Sequence, residues 1–201
     1  MIEKNKFKNK KLVIFGETHG FLNDAKIQKE IITLFQPTIF LYEMLEETEL
    51  LATNDKIKFL NQPNDKEFSI ISIVGELKPT IKLANKHDLP IAGMDIKNMC
   101  RKNKYFLTKT KLTEEEQKNE EEILEKREKM QVKKILEHLN AGKKVFASTG
   151  AFHLRKNSPL LKINNSLIIY PTYEGKQLFD PPENFDIKKV TFKLKEIASH
   201  V

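Results

Sequence analysis

Two histidines, His19 and His153, each stand three residues after a glycine, in Gly16-Glu-Thr-His19 and Gly150-Ala-Phe-His153. Each segment follows a run rich in apolar and β-branched residues. Two similar runs end in an acid, Thr38-Ile-Phe-Leu-Tyr-Glu43 and Leu89-Pro-Ile-Ala-Gly-Met-Asp95. An imidazole titrates near neutral pH, so it can take a proton from water or ligate a metal. A carboxylate beside it can orient the ring or join it as a ligand. Taken singly, each residue is ordinary, because a histidine after a strand is commonly a loop residue and an acid there is commonly a helix cap. Four of them at corresponding positions point to one shared site. Arg127 adds a cation. At ~100° per residue it shares a helix face with Ile123, Leu124 and Met130, so it requires an inward partner, either a carboxylate or a substrate oxyanion. His87, His138 and His200 have no such setting and read as surface residues.

The elements that must position these groups follow from the apolar pattern. Lys11–Gly16 reads as a strand buried on both faces, 23–35 as a helix ended by Pro37, and Thr38–Glu43 as a second strand, which together form a βαβ unit. A helix over Glu76–His87, with Pro79 in its first turn, and a strand over Leu89–Asp95 come next. Thr113-Glu-Glu-Glu116 is a capping box. It opens a charged helix that runs to about Leu139, with Gly142 beyond it. Strands are expected over Lys143–Thr149, Ser166–Tyr170 and Lys189–Leu194, the last alternating like an edge strand. The fold class is therefore α/β with a mostly parallel sheet, in which ligands bind beyond the carboxyl ends of the strands. A glycine at each strand end is expected to permit a sharp turn that brings the histidine back over the sheet. The stretches 44–68 and 96–111 read as lid-like segments that set specificity.

Composition narrows the function classes. A chain of 201 residues suits a single domain over 1–201, with its core in about 11–195. The one cysteine, Cys100, excludes an internal disulfide and suits the cytoplasm. The apolar run after the lysine-rich N-terminus is too short for a signal peptide or a membrane span, so no membrane partner is expected. The net charge of +7 comes from lysines dispersed among glutamates, without a nucleic-acid motif. The expected partner is a small-molecule substrate. The oligomeric state is not readable.

Five ordered segments, Gly16-Glu-Thr-His-Gly20, Glu43, Gly93-Met-Asp95, Arg127-Glu-x-x-Met130 and Gly150-Ala-Phe-His153, resemble the motifs of the erythromycin esterase/ChaN-like superfamily, which includes the TIKI and TraB proteins. The resemblance spans residues 11–155. It implies a three-layer α/β/α fold with a mostly parallel central sheet and a long helix bearing the Arg-Glu-x-x-Met motif. The activities it implies differ among members: metal-free ester hydrolysis, metal-dependent peptide cleavage, or haem and iron binding. The chain is shorter than the esterases and lacks the lipoprotein signal of the ChaN-like members. The leading expectation is hydrolysis of an ester, lactone or amide without a cofactor. His19 would be the general base, Glu43 or Glu17 would orient it, and His153 and Arg127 would stabilise the oxyanion. Glu17, Asp95 and Glu128 are expected to contact substrate. The alternatives are zinc or manganese held by His19, His153 and Glu43, and binding of haem or another anionic small molecule without turnover.

Overall fold

Leu12-Val-Ile-Phe-Gly-Glu17 forms strand β1, buried along its whole length. The computed structural model of the chain describes residues 3–17, 24–62, 74–97, 112–173, 176–177 and 191–196. Helix α1 (Asp24–Phe35) leads to β2 (Ile39–Tyr42), and Gln36 takes a left-handed conformation between them. A short turn, Glu43–Leu45, then precedes β3 (Glu49–Leu50), α2 (Thr53–Asn61), α3 (Val74–Lys86) and β4 (Ile91–Gly93). The long helix α4 (Glu114–Asn140) is followed by β5 (Val145–Gly150), β6 (Ser166–Tyr173), β7 (Lys176–Gln177) and β8 (Thr191–Glu196). The strands form one mixed sheet in the order β3-β4-β2-β5-β1-β6-β7, with β8 paired to β6. Strands β4, β2, β5, β1 and β6 run parallel, and β3, β7 and β8 are antiparallel to their neighbours.

Because side chains alternate along a strand, each buried strand serves two cores. One joins Val13, Phe15, Phe40, Tyr42 and Phe146 to Ile31 and Phe35 of α1 and Ile81 of α3. Phe40 and Phe146 stack there, with ring centres 4.5 Å apart. The other joins Leu12, Ile14, Leu41, Val145 and Ala147 to Ile135 of α4 and to Leu154 and Leu160. Helix α4 begins with the capping box expected of it: Thr113 Oγ1 accepts from the Glu116 amide at 3.2 Å, and Glu116 Oε2 accepts from the Thr113 amide at 2.9 Å. Gly142, at φ +76°, stands just past its end. The fully buried residues of α4 are Glu128, Gln131 and Ile135, a stripe that is polar toward the helix centre and apolar toward its C-terminus.

Several expectations need correction. Pro79 lies in the second turn of α3, because the helix begins at Val74. The described part of the supposed lid, 44–62, is scaffold: Met44, Leu45 and Leu50 are in the core, β3 extends the sheet, and α2 packs on α3. The Lys56 ammonium donates to Leu89 O at 3.2 Å, beside the start of β4, away from the strand's carboxyl end. Residues 63–68 and 98–111 lie outside the described residues. The strand-end glycines also work by a different means. Gly142 is the one described glycine with positive φ, and Gly150 has an ordinary φ of −54°. Gly16 and Gly93 are needed for close approach. A Cβ at Gly93 would fall 2.0 Å from Glu46 O, a backbone atom of the segment that carries Glu43. A Cβ at Gly16 would fall 2.7 Å from Leu154 Cδ1 and 3.1 Å from Ala151 Cα, in the turn that carries His153.

His87 is exposed, as expected, and His200 lies outside the described residues. His138 is half-buried near the end of α4. Burial holds its imidazole below the ordinary 6.5. Lys134 and Lys143 act in the same direction, while Glu49 and Glu137 oppose them.

Two measurements check these points. Gly93→Ala should cost at least about 3 kcal/mol in urea denaturation, the upper range for overpacking, because backbone cannot move aside. Gly16→Ala should cost less, since the Leu154 methyl can rotate away. Equal, small losses would show that neither approach matters. The unfolded chain binds a proton at His138 more readily than the folded one, so this group's contribution is present above 6.5 and is lost as pH falls below it. His138→Gln should therefore flatten the dependence of the melting temperature on pH below 6.5.

Candidate active site

Strand register sets the site. Tyr42 pairs with Ser148 on one side and Gly93 on the other, and Glu17 pairs with Gly150. Glu43, Asp95 and the Gly150-Ala-Phe-His153 turn therefore leave the sheet at one edge, at the carboxyl ends of neighbouring strands. All three titratable groups are buried: Glu43 at 2% exposure, Asp95 at 1% and His153 at 4%.

Arg127 holds the two acids. Its Nε and Nη2 both donate to Asp95 Oδ2, at 2.9 and 2.6 Å, and Nη2 also donates to Glu43 Oε1. The other Asp95 oxygen, Oδ1, accepts from the Ile96 amide at 2.7 Å. Glu43 Oε2 accepts from the Thr149 hydroxyl at 2.7 Å and the Gly150 amide at 2.5 Å. With Arg127 and His153 at one oxygen and Thr149 and Gly150 at the other, Glu43 orients its neighbours and is not disposed to attack a substrate. Upstream on α4, burial pushes the Glu120 carboxyl up, and Arg127 works against that shift.

His153 Nε2 lies 3.2 Å from Glu43 Oε1. In the neutral ring the proton is assigned to this nitrogen, which is the closer of the two to a carboxylate oxygen. Nδ1 lies 3.5 Å from Glu128 Oε1, too far for a good hydrogen bond, and has no hydrogen-bond partner among the described residues. The arrangement resembles that of an oriented base in one respect: a carboxylate stands beside one nitrogen, while the other is buried next to Glu128. Glu128 in turn accepts from Arg155.

Arg127 thus meets the inward carboxylate partner expected of it, in Glu43 and Asp95. Glu17, expected to orient a histidine or contact substrate, lies on the opposite face of the sheet. It accepts from Gln28 Nε2 at 3.0 Å and Ser148 Oγ at 2.8 Å, and Thr80 steadies Gln28 with a 3.1 Å bond. Glu128 is fully buried beside Arg155 and His153. His19 lies outside the described residues. Sequence reasoning missed Thr149, Gln131 and Arg155. Thr149 Oγ1 lies 3.1 Å from Gln131 Oε1, but its single proton goes to Glu43. Turning the Gln131 amide over lets its otherwise unpartnered Nε2 donate to Thr149. The available signals were weak: a hydroxyl in an apolar strand, and a glutamine one turn beyond Arg127.

One ligand atom each from Glu43, Asp95 and His153 lie within 4.8 Å of one another, so this buried group could bind a metal ion. As arranged, the Arg127 guanidinium takes the place of that cation on both carboxylates. The residues fit a metal only if Arg127 is displaced. No helix among the described residues is long and apolar enough to cross a membrane. Comparison with family models, curated proteins and solved structures gives no match.

Removing Arg127 leaves two buried carboxylates without their cation. Arg127→Ala should cost about 3–5 kcal/mol. Adding Asp95→Asn should cost less than the sum of the single changes, with a coupling of at least ~1 kcal/mol by denaturant titration. Strict additivity would mean that the ion pair contributes nothing to the fold.

Proposed function

We propose that this protein is a metal-free hydrolase of an ester, lactone or amide bond, built as a three-layer α/β/α domain of the erythromycin esterase-like kind. The observation that carries the reading is the buried Arg127–Glu43–His153 relay at the carboxyl edge of a parallel sheet. In this reading Glu43 holds the imidazole, Arg127 holds Glu43, and His153 Nδ1 takes a proton from the attacking water. That shifts the base role from His19, where the sequence suggested it, to the histidine whose orienting carboxylate is observed. Asp95 steadies Arg127, which makes it a positioning residue. A second reading, a divalent ion on Glu43, Asp95 and His153, rests on their proximity. It is disfavoured by the guanidinium already seated there.

The test is a panel of chromogenic esters, lactones and anilides. On any substrate turned over, His153→Asn should lower kcat by roughly 10²–10⁴-fold in protein that still unfolds cooperatively, at a lower melting temperature because the side chain is buried. His19→Ala assayed in parallel separates the two histidines, and a larger loss there would return the base role to His19. Unchanged turnover in both variants would sink the reading. Stoichiometric zinc or manganese in protein purified without chelator would overturn its metal-free form.

A further inference from the structure

Beyond His153, on the side of Glu128, a cavity of about 400 Å³ opens between α4 and the segment Arg155–Lys162. This is within the ~300–1,000 Å³ typical of small-molecule sites. Its two walls differ in charge. Glu121, Glu125 and Glu128 line it from α4, on one helix face because they stand at i, i+4 and i+7. Arg155, Asn157 and Lys162 line it from the opposite side. Lys129, on the α4 side, is paired with Glu125 at 3.5 Å.

The decisive group is Glu128. It is fully buried, its Oε1 takes the Arg155 bond, and its Oε2 has no hydrogen-bond partner among the described residues. A buried carboxylate oxygen left this way is costly unless something supplies a donor. Across the cavity, Arg155 uses only Nη1 within the described residues, and Asn157 and Lys162 make no side-chain hydrogen bond or ion pair there. One buried acceptor, Glu128 Oε2, thus stands on the acidic wall, opposite the solvent-exposed donors of Asn157 and Lys162.

We infer that this cavity binds a small zwitterion, with its ammonium on Glu128 Oε2 and its carboxylate toward Arg155 and Lys162. The inference does not depend on hydrolysis, because it concerns occupancy of a cleft that lies beside His153 and does not contain it.

Calorimetric titration with three probes tests it: glycylglycine, N-acetylglycylglycine without the ammonium, and glycylglycinamide without the carboxylate. Glycylglycine should bind saturably, and each derivative should bind at least about tenfold more weakly. Glu128→Gln should erase the discrimination between glycylglycine and its acetylated form. Lys162→Ala, at an exposed position, should reduce the discrimination against the amide, and it keeps the test open if Glu128→Gln does not fold. Equal binding of all three probes, no binding to folded wild-type protein, or discrimination unchanged in Lys162→Ala would overturn the inference. Binding with the expected pattern in a chain that hydrolyses nothing would support this site while removing the hydrolase reading.

Discussion

Two carboxylates, Glu43 and Asp95, are buried at the ends of neighbouring strands, and a single guanidinium from α4 holds both. Each buried charge carries a desolvation cost of several kcal/mol, and Arg127 offsets it at both acids. The same contact ties α4 to the sheet where the helix stripe is polar, Glu128 and Gln131, above its apolar contact at Ile135. Position of the helix and charge balance of the site are thus one constraint. The fork of the guanidinium suits it, since one donor group must reach oxygens on two strands.

That constraint requires the strand ends to lie close, and the topology provides it. The connection from β1 to β2 leaves a slot that β5 fills after the long excursion through α4. Thr149 and Gly150 of β5 therefore sit against Glu43, and His153 follows in the next turn. Gly93 and Gly16 let the Glu43 and His153 segments fold across adjacent strands at distances that a Cβ would forbid. Their absent side chains hold the two halves of the relay together.

The sheet edge carries polar chemistry on both faces, with different characters. On the α1 and α3 side, Glu17 is held by neutral donors, Gln28 and Ser148. On the α4 side, Glu43 and Asp95 are held by a cation. Beside the charged network, His153 Nδ1 and Glu128 Oε2 have no hydrogen-bond partner among the described residues.

By itself, the sequence determined the local elements and the candidate residues. Buried strands follow from apolar runs such as Leu12–Phe15, α4 begins at the Thr113 capping box because that chemistry is local, and Glu43, Asp95 and His153, placed just after strands, mark the sheet edge. Arg127 was legible as an inward-facing cation because helix periodicity alone sets its face. Only the tertiary structure decided which carboxylates it meets, since Asp95 is 32 residues away and Glu43 84, and strand order is not written in local pattern. The same holds for Glu17, which lies within the first glycine-histidine segment in sequence yet turns to the opposite face from Glu43 by strand alternation. It holds too for the glycines, whose need came from backbone approach between distant segments and not from turn conformation. Thr149, Gln131 and Arg155 became part of the site only when folding placed their polar atoms against buried carboxylates and against one another, because hydrogen-bond partners are chosen by geometry and not by position along the chain.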